Sequence, residues 1–272
     1  MIILILLTLA VLLGLVWVWL IGPRRTHRAA LAPFRAYNYA HRGLHNQAQG
    51  VPENSLPAFA QAVAAGYGME LDIQLTKDKQ VVVHHDPSLA RSCGEKKQIG
   101  DLSLAQLQTC RLFGTAEQVP LLRQVLEEVD GKTPIIVELK GYNDPHELCT
   151  LAMKELDNYH GMYCIESFDP RIVRWFRQNR PEIVRGQLMC HFKKGDDGLT
   201  ASQAFFGRNL LTNWYTRPDF EAYDIHTRDR LAMKLATRLL GMQEVSWTIR
   251  TQEEYRKAKA LRGIVIFEHI RP

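Results

Sequence analysis

Met69-Glu70-Leu71-Asp72-Ile73-Gln74-Leu75 alternates apolar and polar residues without a break. Successive side chains on a strand point to opposite faces. Met69, Leu71, Ile73 and Leu75 therefore share one face, and Glu70, Asp72 and Gln74 the other. In a barrel wrapped by helices the apolar set turns outward and the carboxylates point into the barrel mouth. Two carboxylates side by side repel each other and are costly to bury unpaired. A hard divalent cation removes that cost and prefers oxygen ligands. The competing reading is the exposed polar face of an edge strand.

The same logic recurs at Ile135-Ile136-Val137-Glu138-Leu139-Lys140. Glu138 and Lys140 share a face opposite Ile135, Val137 and Leu139. A third carboxylate at the end of another strand can complete a metal site, and Lys140 suits a phosphate oxygen. Taken alone, the pair reads better as a surface salt bridge.

Around these strands, short apolar runs alternate with helical patterns. Strands are predicted at 68–75, 81–85, 135–139, 162–165, 184–189, 245–249 and 263–267. Helices are predicted at 104–110, 121–129, 146–156, 170–179, 231–240 and 252–261. A further helix runs to Ala65, capped by Asn54 or Ser55, with Gly66 at its end. Repeated strand–helix units imply a mostly parallel sheet with helices outside, and their number implies a closed α/β barrel. Only five residues, 76–80, separate the strands at 68–75 and 81–85. That is too short for a helical crossover, so the alternation slips there. The stretch 213–220 reads as a loop with core aromatics.

Residues 1–21 are an uncharged apolar run of bilayer-spanning length. No Lys or Arg precedes the run, and it ends in Trp17, Trp19 and Gly22-Pro23, which favours a retained anchor over a cleaved signal peptide. Arg24, Arg25, His27 and Arg28 follow at once and form a juxtamembrane basic clamp. The organisation expected is an anchor at 1–22, a basic linker at 23–37 and one barrel domain at 38–272. The positive-inside rule then makes the chain a single-pass protein of the cell membrane with its barrel in the cytoplasm. Cys93, Cys110, Cys149, Cys164 and Cys190 are odd in number and lack paired spacing, which argues against a disulfide framework or thiolate zinc site. With a net charge of +5 and no basic stripe interleaved with aromatics, nucleic acid is not an expected partner, and no obligate protein partner is implied. Arg171, Arg174 and Arg177 recur on one face of the 170–179 helix. They read as the solvated side of an outer barrel helix, the alternative being a contact with anionic lipid.

His41-Arg42-Gly43 and His85-Asp86 each end a predicted strand. A neutral histidine takes a proton near pH 7 and a protonated one returns it. Phosphodiester cleavage needs both events. His85 is expected on the inward face with Val81 and Val83, and His84 on the other.

The set His41-Arg42-Gly43, Pro52-Glu53-Asn54-Ser55, Phe59, Gly66, Glu70-Leu71-Asp72, Thr76-x-Asp78, Val83, His85-Asp86 and Leu89-x-Arg91 resembles the glycerophosphodiester phosphodiesterase family. Pro120-x-Leu122, Glu138-x-Lys140, Ser167-Phe168-Asp169 and Trp247-Thr248 continue the likeness through most of the chain after the anchor. The resemblance implies a distorted TIM (β/α)8 barrel after one N-terminal transmembrane helix, with one divalent cation, Mg²⁺ or Ca²⁺ with Mn²⁺ as an alternative. It implies Glu70, Asp72 and Glu138 as metal ligands and His41 and His85 as the acid/base pair. Arg42 and Lys140 would hold the phosphate, and Trp247 would line the glycerol side. Glu53 either joins the metal shell or orients Arg42. The implied substrate is a small glycerophosphodiester or a lysophospholipid, giving glycerol 3-phosphate or a lysophosphatidic acid and an alcohol.

The stretch 263–269 departs from the family pattern, with Glu268 near the usual Asp position. The effect is expected at the distal edge of the substrate. The short segment 87–112 implies an open pocket. Competing readings are a sphingomyelinase D-like or phosphatidylinositol phospholipase C-like enzyme, or a non-catalytic lipid-head-group receptor on the membrane. Intact histidines and carboxylates speak against the receptor.

Overall fold

The computed structural model describes residues 1–24, 26 and 28–272. Arg25 and His27 of the expected basic clamp lie outside the described residues.

The first helix, α1 (Ile2–Leu20), has no charged residue and is long and apolar enough to cross a membrane. Nine strands follow: β1 (Asn38–Ala40), β2 (Gly68–Leu75), β3 (Val81–Val83), β4 (Ile135–Leu139), β5 (Tyr163–Ser167), β6 (Arg185–Met189), β7 (Phe220–Asp224), β8 (Gln243–Ile249) and β9 (Ile264–Phe267). Eight of the described strands pair in parallel in the order β1-β9-β8-β7-β6-β5-β4-β2, and β1 closes on β2. The fold is thus a TIM-type barrel. β3 stands outside the ring, antiparallel to β2, because the 76–80 connection only permits a hairpin.

The helices wrap the ring: α2 (Leu56–Ala64), α3 (Ala90–Cys93), α4 (Leu104–Leu107), α5 (Leu122–Val129), α6 (Pro145–Leu156), α7 (Pro170–Asn179), α8 (Ala201–Arg208), α9 (Asn213–Thr216), α10 (Leu231–Arg238) and α11 (Gln252–Ala260). α2 is capped as its sequence dictates, with Ser55 Oγ accepting from Ala58 N. In α7 the spacing of Ile172, Val173 and Phe176 buries one face completely. Each such side chain contributes roughly 1.5–3 kcal/mol of burial free energy.

Two cores result. Outside the ring, Met69, Leu71, Ile73 and Leu75 pack with Val125, Leu148, Ile172 and Phe176 from the helices. Inside it, Tyr39, Ile136, Cys164, Leu188, Phe220, Ala222, Val245 and Ile266 fill the lower barrel. The stretch expected as a linker is partly a floor: two 3-10 turns at Arg28–Leu31 and Pro33–Ala36 insert Leu31 and Phe34, 2% and 5% exposed, into that inner core.

Other boundaries shift with local physics. β3 stops at Val83, short of His85. β5 continues past Ile165 to Ser167, and β7, within which only Phe220 had been read as core, spans Phe220–Asp224. The short 87–112 segment is an ordered layer, in which Leu89, Ile99, Leu107 and Leu112 bury against Val82. Cys93, Cys110, Cys149 and Cys164 are free thiols.

Candidate active site

Above the apolar floor, the inward positions of neighbouring strands become acidic. β2 and β4 pair with Asp72 opposite Glu138, and β4 and β5 pair with Glu138 opposite Glu166. Glu70, Asp72 and Glu138 are all buried, and their carboxylate oxygens approach within 4.8 Å of one another. The edge-strand alternative for Glu70 and Asp72 is thereby excluded, since they are 2% and 1% exposed.

Burial, then repulsion from Asp72, Glu138 and Glu166, pushes the Glu70 carboxyl well above its ordinary range. Burial also lifts Glu138 to about 7, although Lys140 works against the shift. Asp72 moves the other way: burial is outweighed by Lys140, His85 and Arg42, which hold it well below the usual carboxylate range. Lys140 Nζ lies 2.6 Å from Glu138 Oε1 and 2.9 Å from Asp72 Oδ1. Lys140 and Arg42 together carry two positive charges against four crowded carboxylates, Glu70, Asp72, Glu138 and Glu166. An all-oxygen, anionic donor set of this compactness fits a hard divalent cation.

The His41-Arg42-Gly43 turn approaches the cluster through unusual backbone. Arg42 and Gly43 both have positive φ, 56° and 81°. A Cβ at Gly43 would also sit 2.9 Å from Ala58, so only glycine fits. The turn aims Arg42 N at Glu70 Oε2, 3.0 Å away. The Arg42 side chain reaches Asp72 at 3.4 Å and donates to Glu53 Oε1 at 2.8 Å. Glu53 also accepts two bonds from Arg91. Glu53 lies with the arginines, therefore, and not within the carboxylate triad. Its neighbour Asn54 donates to Asp72 Oδ2 at 2.8 Å, a contact for which the sequence offered no role.

His41 and His85 line one cavity of about 320 Å³ together with Arg42, Glu70, Glu138, Glu166 and Trp247. His85 Nδ1 lies 2.6 Å from Asp86 Oδ1, so the aspartate does touch the ring. Burial lowers the His85 pKa to about 4 and lowers that of His41 as well. His84 is turned away: its ring nitrogens lie 2.8 Å from Asp86 O and 2.8 Å from Ser92 Oγ. Trp247 packs edge-on against Phe168 at 5.7 Å.

One residue of the site was missed and another was misplaced. Glu166 is 1% exposed, and burial with Glu138 beside it raises its carboxyl well above the ordinary range. Its signal was weak, a single carboxylate just past a strand expected to end at Ile165. Glu268 was placed at the distal substrate edge. It instead stands 3.6 Å from His41 Nδ1 and 3.2 Å from His45 Nε2, with Arg250 on its other oxygen. Burial acts to raise its carboxyl, but the two histidines and Arg250 hold it far below the usual range.

A family model described as the glycerophosphoryl diester phosphodiesterase family matches residues 41–267. The glycerophosphodiester phosphodiesterase of Caldanaerobacter subterraneus subsp. tengcongensis is 29% identical over 199 residues, covering 69% of this chain and 73% of its own. The crystal structure of the Thermotoga maritima glycerophosphodiester phosphodiesterase is 26% identical, with a TM-score of 0.63 over 84% of this chain and 92% of that one. An Oleispira antarctica phosphodiesterase, solved in complex with the product sn-glycerol-3-phosphate, has a TM-score of 0.70 at 18% identity. It covers 85% of this chain and 92% of that chain. At that identity the likeness is one of fold.

Proposed function

The chain belongs to the glycerophosphoryl diester phosphodiesterase family, and from that premise we propose that its barrel hydrolyses glycerophosphodiesters or lysophospholipids to a glycerol phosphate and an alcohol. The observation that carries this reading is one cavity lined by His41, His85, Arg42, Glu70 and Glu138. The family match over residues 41–267 supports the same substrate class.

Glu70, Asp72 and Glu138 would hold a single divalent cation, Mg²⁺, Ca²⁺ or Mn²⁺. When bound, it supplies positive charge against the phosphate oxygens. The chain's own residues do the rest. Arg42 directs a guanidinium at the diester anion. Lys140, expected on the phosphate, sits on Glu138 and Asp72, holds Asp72 ionised and opposes the upward shift that burial imposes on Glu138. Trp247 provides an apolar wall for the glycerol carbons.

Burial lowers both histidines, which favours the neutral ring that acts as base, and the reaction starts with the other ring protonated. One accepts the proton as the glycerol hydroxyl attacks phosphorus. As the P–O bond to the alcohol breaks, the other delivers a proton to the leaving oxygen. Water then opens the cyclic phosphate with the roles reversed. Each ring has a carboxylate behind it, Glu268 for His41 and Asp86 for His85, so each can carry the transient positive charge.

Hydrolysis should vanish on chelation and return with Mg²⁺, Ca²⁺ or Mn²⁺. Full activity in excess chelator after dialysis refutes the metal role. The apolar α1 supports a single membrane span with a cytoplasmic barrel. Protection of the barrel from protease in intact cells is the expected result, and digestion from outside overturns the topology.

A further inference from the structure

The C-terminal end of α1 is fastened to the barrel. Ile21 is fully buried in a cluster with Met189, Leu210, Tyr223 and Met242. Its carbonyl accepts from Asn213 Nδ2 at 3.2 Å. Arg217 Nη1 donates to Trp19 O at 2.8 Å and Gly22 O at 3.0 Å, and its guanidinium stacks over the Trp19 ring at 4.3 Å.

Beside this junction lies a cavity of about 700 Å³ with two kinds of lining. Leu15, Val18 and Trp19 of α1 supply its apolar lining, and Arg24, Arg177, Arg185 and Arg217 its basic lining, with Arg217 stacked on Trp19. None of the described residues lining it is acidic. Arg185 is 3% exposed. It donates to Thr216 O and to Arg217 O, yet its Nη1 is enclosed without a hydrogen-bond acceptor among the described residues. Arg24 Nη1 is in the same position, with Asp219 Oδ2 only at ion-pair distance, 3.7 Å. Burial lowers the Arg185 guanidinium to about 10; the nearby Asp219 carboxylate works against the shift, and Arg24 and Arg177 add to it.

Enclosed guanidinium donors crowded by like charge are suited to a phosphate, which accepts planar, paired hydrogen bonds. The apolar lining adds a second requirement. Leu15 to Leu20 covers about 7–8 Å along the helix axis, the last apolar turn before the chain reaches Arg24. A free anion has no use for that lining, whereas a phosphate carrying an acyl chain does. The cavity is also far from the catalytic end of the barrel, because Arg185 opens β6 and Arg217 precedes β7 at the floor.

We propose that this cavity binds the phosphate head group of an anionic phospholipid, whose acyl chain runs along Leu15 and Val18. The proposal rests on the reading of α1 as a membrane span. The lipid would fix the barrel's attitude relative to its anchor.

The test uses the full chain in detergent, offered equal amounts of phosphatidylglycerol and phosphatidylcholine and examined by native mass spectrometry. Phosphatidylglycerol should be retained at least about tenfold over phosphatidylcholine, as expected for charge-assisted guanidinium–phosphate bonds. The Arg24→Gln, Arg177→Gln double variant should lose that preference while hydrolysing a soluble glycerophosphodiester at the original rate. If the double variant misfolds by circular dichroism, Arg24→Gln alone serves, since it keeps the Arg24 backbone bond to Pro218 O. Equal retention of the two lipids, or an undiminished preference in the variant, overturns the proposal. So does inorganic phosphate matching the lipid's thermal stabilisation, which reassigns the site to free anions. Flotation with pure phosphatidylcholine vesicles tests the anchor separately, and its failure refutes the span and not the pocket's selectivity.

Discussion

Glu268 Oε1 stands 3.6 Å from Nδ1 of His41. Arg250 fixes the other oxygen of Glu268 at 2.7 Å. The glutamate therefore orients His41 and stabilises its protonated form. Glu268→Gln should lower kcat by roughly ten- to hundredfold, a fraction of the full general acid–base contribution, and leave KM nearly unchanged. Glu268→Asp should recover part of the loss. Steady-state kinetics on the two variants check this, and an effect confined to KM would return Glu268 to the distal edge of the substrate.

His84 and His85 are neighbours with opposite environments. His85→Ala should cut turnover by ~10²–10⁴-fold in a folded protein. His84→Ala should retain the rate but lose stability by about 1–3 kcal/mol, because Asp86 O and Ser92 Oγ lose a buried partner. Rates paired with thermal melts separate the two, and exchanged phenotypes would falsify the assignment of His85 to the pocket.

Glu221 gives a pH signature remote from the catalytic centre. It is fully buried on the outer face of β7, with Asn213 donating to its Oε2 at 3.0 Å. Burial raises its carboxyl to about 8, although the Asn213 bond acts downward. The folded state thus holds this proton to higher pH than the unfolded chain, whose glutamate ionises near 4.5. Stability contributed by this group is full below pH 4.5 and is lost as pH rises to 8. The loss reaches roughly 4–5 kcal/mol by linkage. Glu221→Gln should match the wild type near pH 4.5 and melt several degrees higher at pH 8. Parallel melting curves across that range contradict the assignment.

Much of this was legible because the inside and outside of a barrel strand obey a period of two. Met69 to Leu75 shows both faces, so the inward carboxylates and outward core followed from alternation alone. Pro170 to Asn179 gave its helix by the same kind of spacing. β7 escaped because both of its faces carry a carboxylate. Glu221 is buried outward against Asn213, and Asp224 points to the mouth, so Phe220 to Asp224 lacks a clean apolar side. Leu31 and Phe34 were hidden in a stretch with neither helical nor strand period, since 3-10 turns carry the floor of the barrel. Glu268 could not be tied to His41 in advance, because they lie at opposite ends of the barrel domain and meet only when β1 pairs with β9.

Product analysis tests the central claim most directly. The purified full chain, supplied with Mg²⁺, Ca²⁺ or Mn²⁺, is incubated with a panel of glycerophosphodiesters and lysophospholipids and followed by phosphorus NMR. The expected products are glycerol 3-phosphate, or a lysophosphatidic acid, together with the free alcohol, formed at least ~100-fold more slowly by His85→Ala. No turnover across the panel, or equal turnover by His85→Ala, would contradict the claim.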